Sequence, residues 1–419
     1  MSDKIKIFTI SDHPLSPSGV GTQTKYMIEG MLKTGKYQFV SFGGAISHPD
    51  YTAQKTEKWD EDWIIWPVDG YGNPDQVRAM VGQQKPDILW FMTDPRFYGW
   101  LWQIENEIRP QVPMVYYHVW DNYPYPHFNK PYYDSNDHIA CISKLTYDIV
   151  QTVSPEVGSS YIPHAVDTDI FYKFDEEQIA EFKRNRFGPD GDEKFYFFWN
   201  NRNARRKQSG SLIFWFKAFL DKVGHDKAVL ILHTDPKDGN GQDLEAIISY
   251  LGLINGEVLF SREKIDAHNL AMIYNVIDCT INISDAEGFG LATLESLACE
   301  TPIIVNLTGG MQDQITDGET IFGVGIEPTS KAIIGSQNVP YIYEDRLSEE
   351  SVVNAMLEMY NKSKEERDAI GELARKYVMK QFNFDDYMER WDKLLTEVHE
   401  EKGSWSTRTG HKSYGVEVI

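Results

Sequence analysis

The chain has 419 residues, with 41 Lys and Arg against 63 Asp and Glu, for a formal net charge of −22. That charge opposes non-specific attraction to nucleic acid and to anionic membrane surfaces, and no apolar run approaches the roughly 20 residues of a membrane span, so integral membrane contact is not expected. With 41% hydrophobic and 13% aromatic residues, the composition is that of a globular protein long enough for two separate cores.

Ile5, Ile7, Phe8 and Ile10 begin a strand almost at once. They leave no room for the basic segment, apolar stretch and cleavage site of a signal peptide, so a cytoplasmic location is expected. The strand leads to Ser16-Pro17-Ser18-Gly19-Val20-Gly21-Thr22-Gln23 and a helix over Gln23 to Leu32. Gly19 and Gly21 can turn backbone N–H groups toward a diphosphate at the helix end. A tight turn accounts for the same residues equally well, because no third glycine completes a dinucleotide fingerprint. Further apolar strands are expected at Phe39 to Phe42, Asp87 to Met92, Met114 to Trp120 and His138 to Ser143. Their alternation with amphipathic stretches predicts a parallel sheet covered by helices.

His118 ends the run Met114-Val115-Tyr116-Tyr117. A histidine there can project from the C-terminal end of a strand and hydrogen-bond a sugar hydroxyl or phosphate, although a lone histidine is more often structural. Around it Trp90, Phe97, Tyr98, Trp100, Trp102, Trp120, Tyr123 and Tyr125 form an aromatic-rich region. Exposed members could stack on a carbohydrate or a base. Cys141, Cys279 and Cys299 stand singly in apolar surroundings, without metal-ligand spacing, and read as buried residues of a reduced protein.

Beyond Phe171 a charged segment, Asp175 to Arg186, and Gly188-Pro189-Asp190-Gly191 read as a linker. A second set of strands follows at Phe195 to Trp199, Ala228 to His233, Glu257 to Ser261, Cys279 to Ser284 and Thr301 to Asn306. After the first of these comes Asn200-Asn201-Arg202-Asn203-Ala204-Arg205-Arg206-Lys207-Gln208. Four cations so close together in an acidic chain suggest an anionic ligand, with Arg202 suited to bidentate phosphate contact and Lys207 to neutralising a leaving diphosphate. A solvated charged face is the plainer alternative, above all for Arg205 and Arg206.

From Ile283 to Glu295 the chain reads Ile283-Ser284-Asp285-Ala286-Glu287-Gly288-Phe289-Gly290-Leu291-Ala292-Thr293-Leu294-Glu295. Gly288 and Gly290 allow close backbone approach at a helix N-terminus, and Glu287 can reach a ligand from the loop. Glu295 lies a turn or more inside the helix, so the two carboxylates contact different parts of one extended ligand. An ordinary strand-loop-helix junction explains these residues about as well. Ser363 and Glu366 then form a capping box before one closing helix, and Tyr387, Trp391, Leu394 and Leu395 mark another. From Gly403 a loosely held tail is expected.

Taken together, Gly19-Val20-Gly21, His118, Ile162 to Phe171, Arg202 with Lys207, and Glu287 with Glu295 resemble, in order, the landmarks of retaining, nucleotide-sugar-dependent glycosyltransferases of family four. Thr308-Gly309-Gly310-Met311 resembles the family's late glycine loop. The resemblance implies an α/β protein of the GT-B fold, two Rossmann-like domains facing a cleft. It places an acceptor-side domain at 1–170, a donor domain at 171–384, a helix at 385–400 packing back on the first domain, and a tail at 401–419. By resemblance, Arg202 and Lys207 grip the diphosphate, Glu287 faces the donor sugar, the backbone of Gly288, Phe289 and Gly290 binds its hydroxyls, and Glu295 holds the ribose. Retention, no metal and no cofactor beyond the nucleotide-sugar donor are also implied. Asn201, Gln208 and His164-Ala165 depart from the family's pattern. The acceptor expected is a glycan, a lipid-linked hydroxyl or a small molecule. Two other readings remain: transfer to a modified base in DNA, which the net charge disfavours, and a non-catalytic sugar- or nucleotide-binding protein on the same fold.

Overall fold

The computed structural model describes residues 4–189 and 191–411 and divides into two compact units. The first is built from the described parts of Met1–Ala165, Gly335–Tyr341 and Asp385–Ile419, the second from Val166–Ile334 and Ile342–Phe384.

The first unit holds an eight-stranded sheet made of β1 (Ile5–Asp12), β2 (Tyr37–Gly44), β3 (Gln54–Lys55), β4 (Trp63–Pro67), β5 (Ile88–Thr93), β6 (Met114–His118), β7 (His138–Cys141) and β8 (Gly158–Tyr161). The strand order is β3-β4-β2-β1-β5-β6-β7-β8. All neighbours pair parallel except β3 with β4. Helices cover both faces of such a sheet, so a central strand is apolar along its whole length. β5, Ile-Leu-Trp-Phe-Met-Thr, is buried at every position. The helix Gly19–Lys33 starts at Ser18, whose side chain accepts from the Gly21 N–H. The helix Phe384–Lys402 buries Tyr387, Trp391, Leu394, Leu395 and Val398, a stripe of helical spacing. Trp391 meets Trp90 and Tyr117 edge-on, with ring centroids 5.7 and 4.9 Å apart.

The loosely held tail expected from Gly403 is corrected as far as Thr409. Ser404 donates to Asp87 at 2.7 Å, the Trp405 indole N–H to the Pro86 carbonyl at 2.9 Å, and Arg408 to Asp137 at 2.6 Å. A buried guanidinium on a buried carboxylate anchors a segment whose small polar residues gave no apolar pattern to read. Residues 412–419 of that tail lie outside the described residues.

The second unit holds β9 (Phe195–Asn200), β10 (Ala228–His233), β11 (Val258–Ser261), β12 (Cys279–Asn282), β13 (Ile303–Asn306) and β14 (Gly323–Ile326) in the order β11-β10-β9-β12-β13-β14. All pairs are parallel. β9 and β12 are therefore neighbours at the point where strand order reverses. An open sheet of this kind offers a crevice beyond the strand ends there. An antiparallel hairpin, β15 (Ser330–Ile334) and β16 (Ile342–Arg346), follows β14. Leu212, Ile213, Phe216, Phe219 and Leu220 of the helix Ser209–Val223 fill the core beneath β9 and β10.

The charged segment read as a linker is instead the helix Glu176–Phe187 of the second unit, and the chain changes unit at Ala165 and Val166. No residue of that helix is fully buried, which is why its composition looked like a connector. Phe187 nevertheless stacks on Tyr196 of β9 at 4.5 Å. Asp190 of the same proposed linker lies outside the described residues. The edge strands β8 and β14 had no sequence signal because Gly158-Ser159-Ser160-Tyr161 and Gly323-Val324-Gly325-Ile326 are short and poor in large apolar residues. All three cysteines are free and buried. Among the described residues no helix is long and apolar enough to cross a membrane.

Trp391 is fully buried, and Trp391→Ala should destabilise the first unit by about 3–5 kcal/mol through lost burial and an unfilled cavity. Urea unfolding followed by near-ultraviolet circular dichroism would measure it. A loss below about 1 kcal/mol would mean that the last helix is not held by this contact.

Candidate functional site

In the second unit the loops that leave β9 and β12 meet at the reversal point. The turn Arg205–Lys207 after β9, with Gln208, and the loop 283–290 after β12 are joined by three hydrogen bonds. The Asp285 N–H donates to the Arg206 carbonyl at 2.8 Å, the Arg206 guanidinium to the Ala286 carbonyl, and the Gln208 amide to Asp285 Oδ2 at 2.6 Å. Between them the Lys207 ammonium forms an ion pair with Glu287 Oε2, and both side chains are about nine-tenths buried. Arg206 Nη1 lies 3.7 Å from the same carboxylate oxygen.

Burial pushes the Glu287 carboxyl up, but the charges of Lys207 and Arg206 more than offset this and hold it below its ordinary range. Glu287 is therefore ionised. At Asp285 burial outweighs the Gln208 hydrogen bond and the charges of Arg346 and Arg205 and raises the carboxyl to about 6.

The glycine loop of the late motif presses directly on this one. A Cβ at Gly310 would come within 2.6 Å of the Gly288 carbonyl oxygen and of the Phe289 Cα. The Gly310 N–H donates to the Glu287 carbonyl at 3.1 Å. Gly290, with φ +90°, caps the helix Leu291–Ala298 in a conformation that favours glycine. The Gln314 amide holds the Phe289 and Gly290 carbonyls at 2.7 and 3.1 Å. Glu287, Gly288, Phe289 and Gly290 thus form one rigid loop at a helix N-terminus, where partial positive charge favours an anion.

Glu295 lies in the second turn of that helix. Its Oε2 accepts from the Tyr274 hydroxyl at 2.9 Å, and Asn200 Nδ2 at the end of β9 donates to the same hydroxyl oxygen at 3.0 Å. Burial raises the Glu295 carboxyl to about 7, opposed by that Tyr274 bond. Nearby strand ends carry His233, paired in register with Asn200 and Ser261. Asn201 Nδ2 and Thr234 Oγ1 are buried there without a partner among the described residues.

Three expected site residues are placed differently from the expectation. Arg202 is not at the Lys207 cluster: its side chain is 66% exposed and pairs with Asp238 at 2.6 Å. The left-handed Gln208, φ +58°, ends a tight turn that carries Arg206 rather than Arg202 toward the loop. His118, in the first unit, is wholly buried, with Nδ1 3.2 Å from the Tyr116 hydroxyl and Nε2 2.8 Å from the Tyr133 hydroxyl. Both ring nitrogens are engaged inside the protein, and burial lowers its pKa to about 3, so it is a neutral member of an internal network. Gly21 gives its N–H to the Ser18 cap at 3.0 Å rather than to a ligand. A Cβ there would lie 2.6 Å from Ser16 Oγ, so close packing is what requires the glycine. Gly19 is the first residue of the same helix.

Trp90, Tyr98, Trp102 and Trp120 are core residues, whereas Phe97 is exposed and Trp100, Tyr123 and Tyr125 are half-buried, so half of the expected stacking residues belong to the core. The sequence reading missed Arg206, Gln208, Tyr274, Asn201 and Thr234. Only Arg206 had a signal, its place beside Lys207 in a cation run.

Residues 180–377 match the family of glycosyl transferases, group 1. N-acetyl-alpha-D-glucosaminyl L-malate synthase of Bacillus anthracis is 22% identical over 269 residues, 63% of this chain and 61% of that protein. The chain thus spans about three fifths of the length of that relative. Among solved structures, sucrose-phosphate synthase from Thermosynechococcus elongatus superposes with a TM-score of 0.75 at 17% identity, covering 95% of this chain and 100% of that one. Alr3699/HepE of Anabaena, in complex with UDP and glucose, gives 0.67 at 14% identity, covering 94% and 100%. These likenesses and the two Rossmann-like units define the class: an α/β protein of the GT-B fold. Within it, residues 180–377 are similar to group 1 glycosyl transferases.

Glu295 yields a test of its surroundings. Its folded-state pKa of about 7 lies above the unfolded value of about 4.3, so the folded chain binds this proton more tightly. Stability linked to Glu295 is full below the unfolded value and is lost as pH rises through 7. Glu295→Gln, which stays neutral, should therefore match the parent Tm at pH 4 and exceed it at pH 8. An equal difference at both pH values would remove the buried-carboxyl account.

Proposed function

We propose that the chain transfers a sugar, with retention at the anomeric carbon, from a nucleoside-diphosphate sugar to a hydroxyl of a glycan, lipid-linked or small-molecule acceptor, in the cytoplasm. One observation carries the reading: a buried Lys207–Glu287 pair, with Arg206 beside it, at the strand-order reversal point and next to a helix N-terminus. Bond cleavage leaves negative charge on the departing diphosphate. A lysine and a helix dipole aimed there stabilise the transition state more than the ground state. That arrangement supports a reaction that does not depend on a metal.

Glu287 orients the donor sugar, with the rigid backbone of Gly288 to Gly290 at its hydroxyls. Glu295, steadied by Tyr274 and Asn200, takes the ribose hydroxyls, and the unpartnered Asn201 and Thr234 suit further polar contacts to the nucleoside. The complex of Alr3699/HepE with UDP and glucose makes UDP-sugars the first donors to try, followed by GDP- and ADP-sugars. The name of the Bacillus relative points to small hydroxy acids among the acceptors to screen.

Hydrolysis or transfer from one of these donors is the deciding assay, and no turnover with any of them would remove the reading. Turnover should persist in excess chelator, and loss in EDTA restored by magnesium or manganese would overturn the metal-independent part.

The two carboxylates should fail differently. Glu295→Gln should mainly raise donor KM, because a ribose contact is equal in ground and transition states, whereas Glu287→Gln should mainly lower kcat. A hydrogen bond to a charged group is worth about 1.5–3 kcal/mol, so roughly ten- to a hundredfold changes are expected. Steady-state kinetics would separate them, and unchanged kcat in a folded Glu287 variant would place that residue outside the chemistry.

A further inference from the structure

We propose that the first unit binds an uncharged saccharide beyond the C-terminal ends of β1 and β5, and that this surface rejects phosphorylated and carboxylated acceptors. The inference rests on the transfer reading above and narrows its acceptor.

Strand order in the eight-stranded sheet reverses between β1 and β5, so a crevice for a ligand lies beyond the ends of these two strands. Asp12 ends β1, and Thr93 ends β5, followed at once by Asp94, Arg96 and Phe97. The loop 68–73 after β4 closes on the same place. It is held against β2, where a Cβ on Gly44 would collide with the Gly70 carbonyl oxygen and the Ala45 N–H donates to that oxygen at 2.7 Å. The loop thereby sets Tyr71 between the two strand ends, its hydroxyl donating to Asp12 Oδ1 at 2.8 Å and its ring centroid 5.4 Å from that of Phe97.

Two features here could hold an anion, and a carboxylate already meets each. The N-terminus of the helix Gly19–Lys33 carries partial positive charge, but its capping Ser18 donates to Asp12 Oδ2 at 2.6 Å. Arg96 is the only lysine or arginine in the loops 13–18, 45–53, 68–73 and 94–98. It lies 3.3 Å from Asp94 Oδ2, with its guanidinium 5.1 Å above the Phe97 ring. Asp50 and Asp69 add negative charge to the same loops. Burial lowers the pKa of His13, so that ring adds no positive charge at neutral pH. An arriving phosphate or carboxylate would therefore meet like charge, which is costly.

What remains suits a sugar ring, which carries hydroxyls on its rim and C–H groups on its faces. Carboxylate oxygens only accept, and each has lone pairs beyond the one that Ser18 or Tyr71 uses. Burial and the Asp12 charge push the Tyr71 phenol up, so it stays protonated and its oxygen can accept a further hydroxyl. Phe97, 43% exposed, offers an apolar ring surface beside them.

The test applies ligand-observed NMR to the full chain with two groups of probes. The neutral group is the methyl glycosides of glucose, galactose, mannose and N-acetylglucosamine, with maltose and lactose; the anionic group is glucuronate, glucose 6-phosphate and malate. At least one neutral probe should bind about tenfold or more tightly than every anion. Phe97→Ala and Tyr71→Phe should each weaken it about three- to tenfold, with Tm as a check on folding, and leave calorimetric binding of UDP, GDP or ADP within about twofold. Asp94→Asn, which can still cap the Arg96 N–H but frees its guanidinium, should tighten glucuronate binding. Anions binding as well as the neutral probes, or no neutral probe binding, would overturn the proposal. So would neutral binding that neither Phe97→Ala nor Tyr71→Phe alters, or glucuronate binding unchanged in Asp94→Asn. Absence of binding of all three diphosphates to the unaltered chain would instead overturn the donor reading, and the saccharide results would still decide this one.

Discussion

The organisation of the second unit depends on one buried ion pair, Lys207 with Glu287. Removing both charges from water costs several kcal/mol per ion, and their attraction repays this only where geometry is good and further hydrogen bonds are made. Here the turn after β9 and the loop after β12 supply that support from both sides, through Arg206, Gln208 and Asp285. Such a pair is weak evidence for stability as such. In the reaction proposed above, its value lies in holding Lys207 desolvated where an anionic leaving group forms.

Backbone geometry makes the pair possible. Gly310 lies so near Gly288 and Phe289 that any side chain on it would collide with main-chain atoms, which cannot move aside. Gly290 turns the chain into its helix through positive φ. Gln208 reaches the left-handed region without being glycine because two hydrogen bonds fasten its amide. Strain that persists under such constraint is commonly found at functional sites, and here it coincides with the turn that presents Lys207.

One polar network of the first unit is satisfied within the protein. Around His118 the phenols of Tyr116 and Tyr133 satisfy both ring nitrogens, and the Tyr116 hydroxyl donates to the Thr93 carbonyl at 2.6 Å. A fully satisfied buried network is rigid and specific, whereas a partly satisfied one is costly. Elsewhere buried polar atoms lack partners among the described residues, Trp90 and Trp391 Nε1 in the first unit and Asn201 Nδ2 and Thr234 Oγ1 in the second.

The α/β class, the two sets of strands, the closing helices and the loop around Glu287 were legible in the chain alone. They depend on local terms: apolar runs long enough for buried parallel strands, a helical stripe at Tyr387 to Leu395, a capping box at Ser363, and glycines beside acids. The helix Glu176–Phe187 was read as a linker because an exposed helix and a connector share one composition. The segment 403–411 was read as loose because a buried Arg408–Asp137 pair joins residues 271 positions apart. Which cation meets Glu287 was likewise beyond the sequence. Arg202 and Arg206 carry the same charge on the same run, and spacing favours the first. Only the path of the chain through the left-handed Gln208, fastened to Asp285 across 77 positions, turns the second inward. Local propensity determined which elements form, and long-range hydrogen bonds and packing decided which side chains those elements bring together.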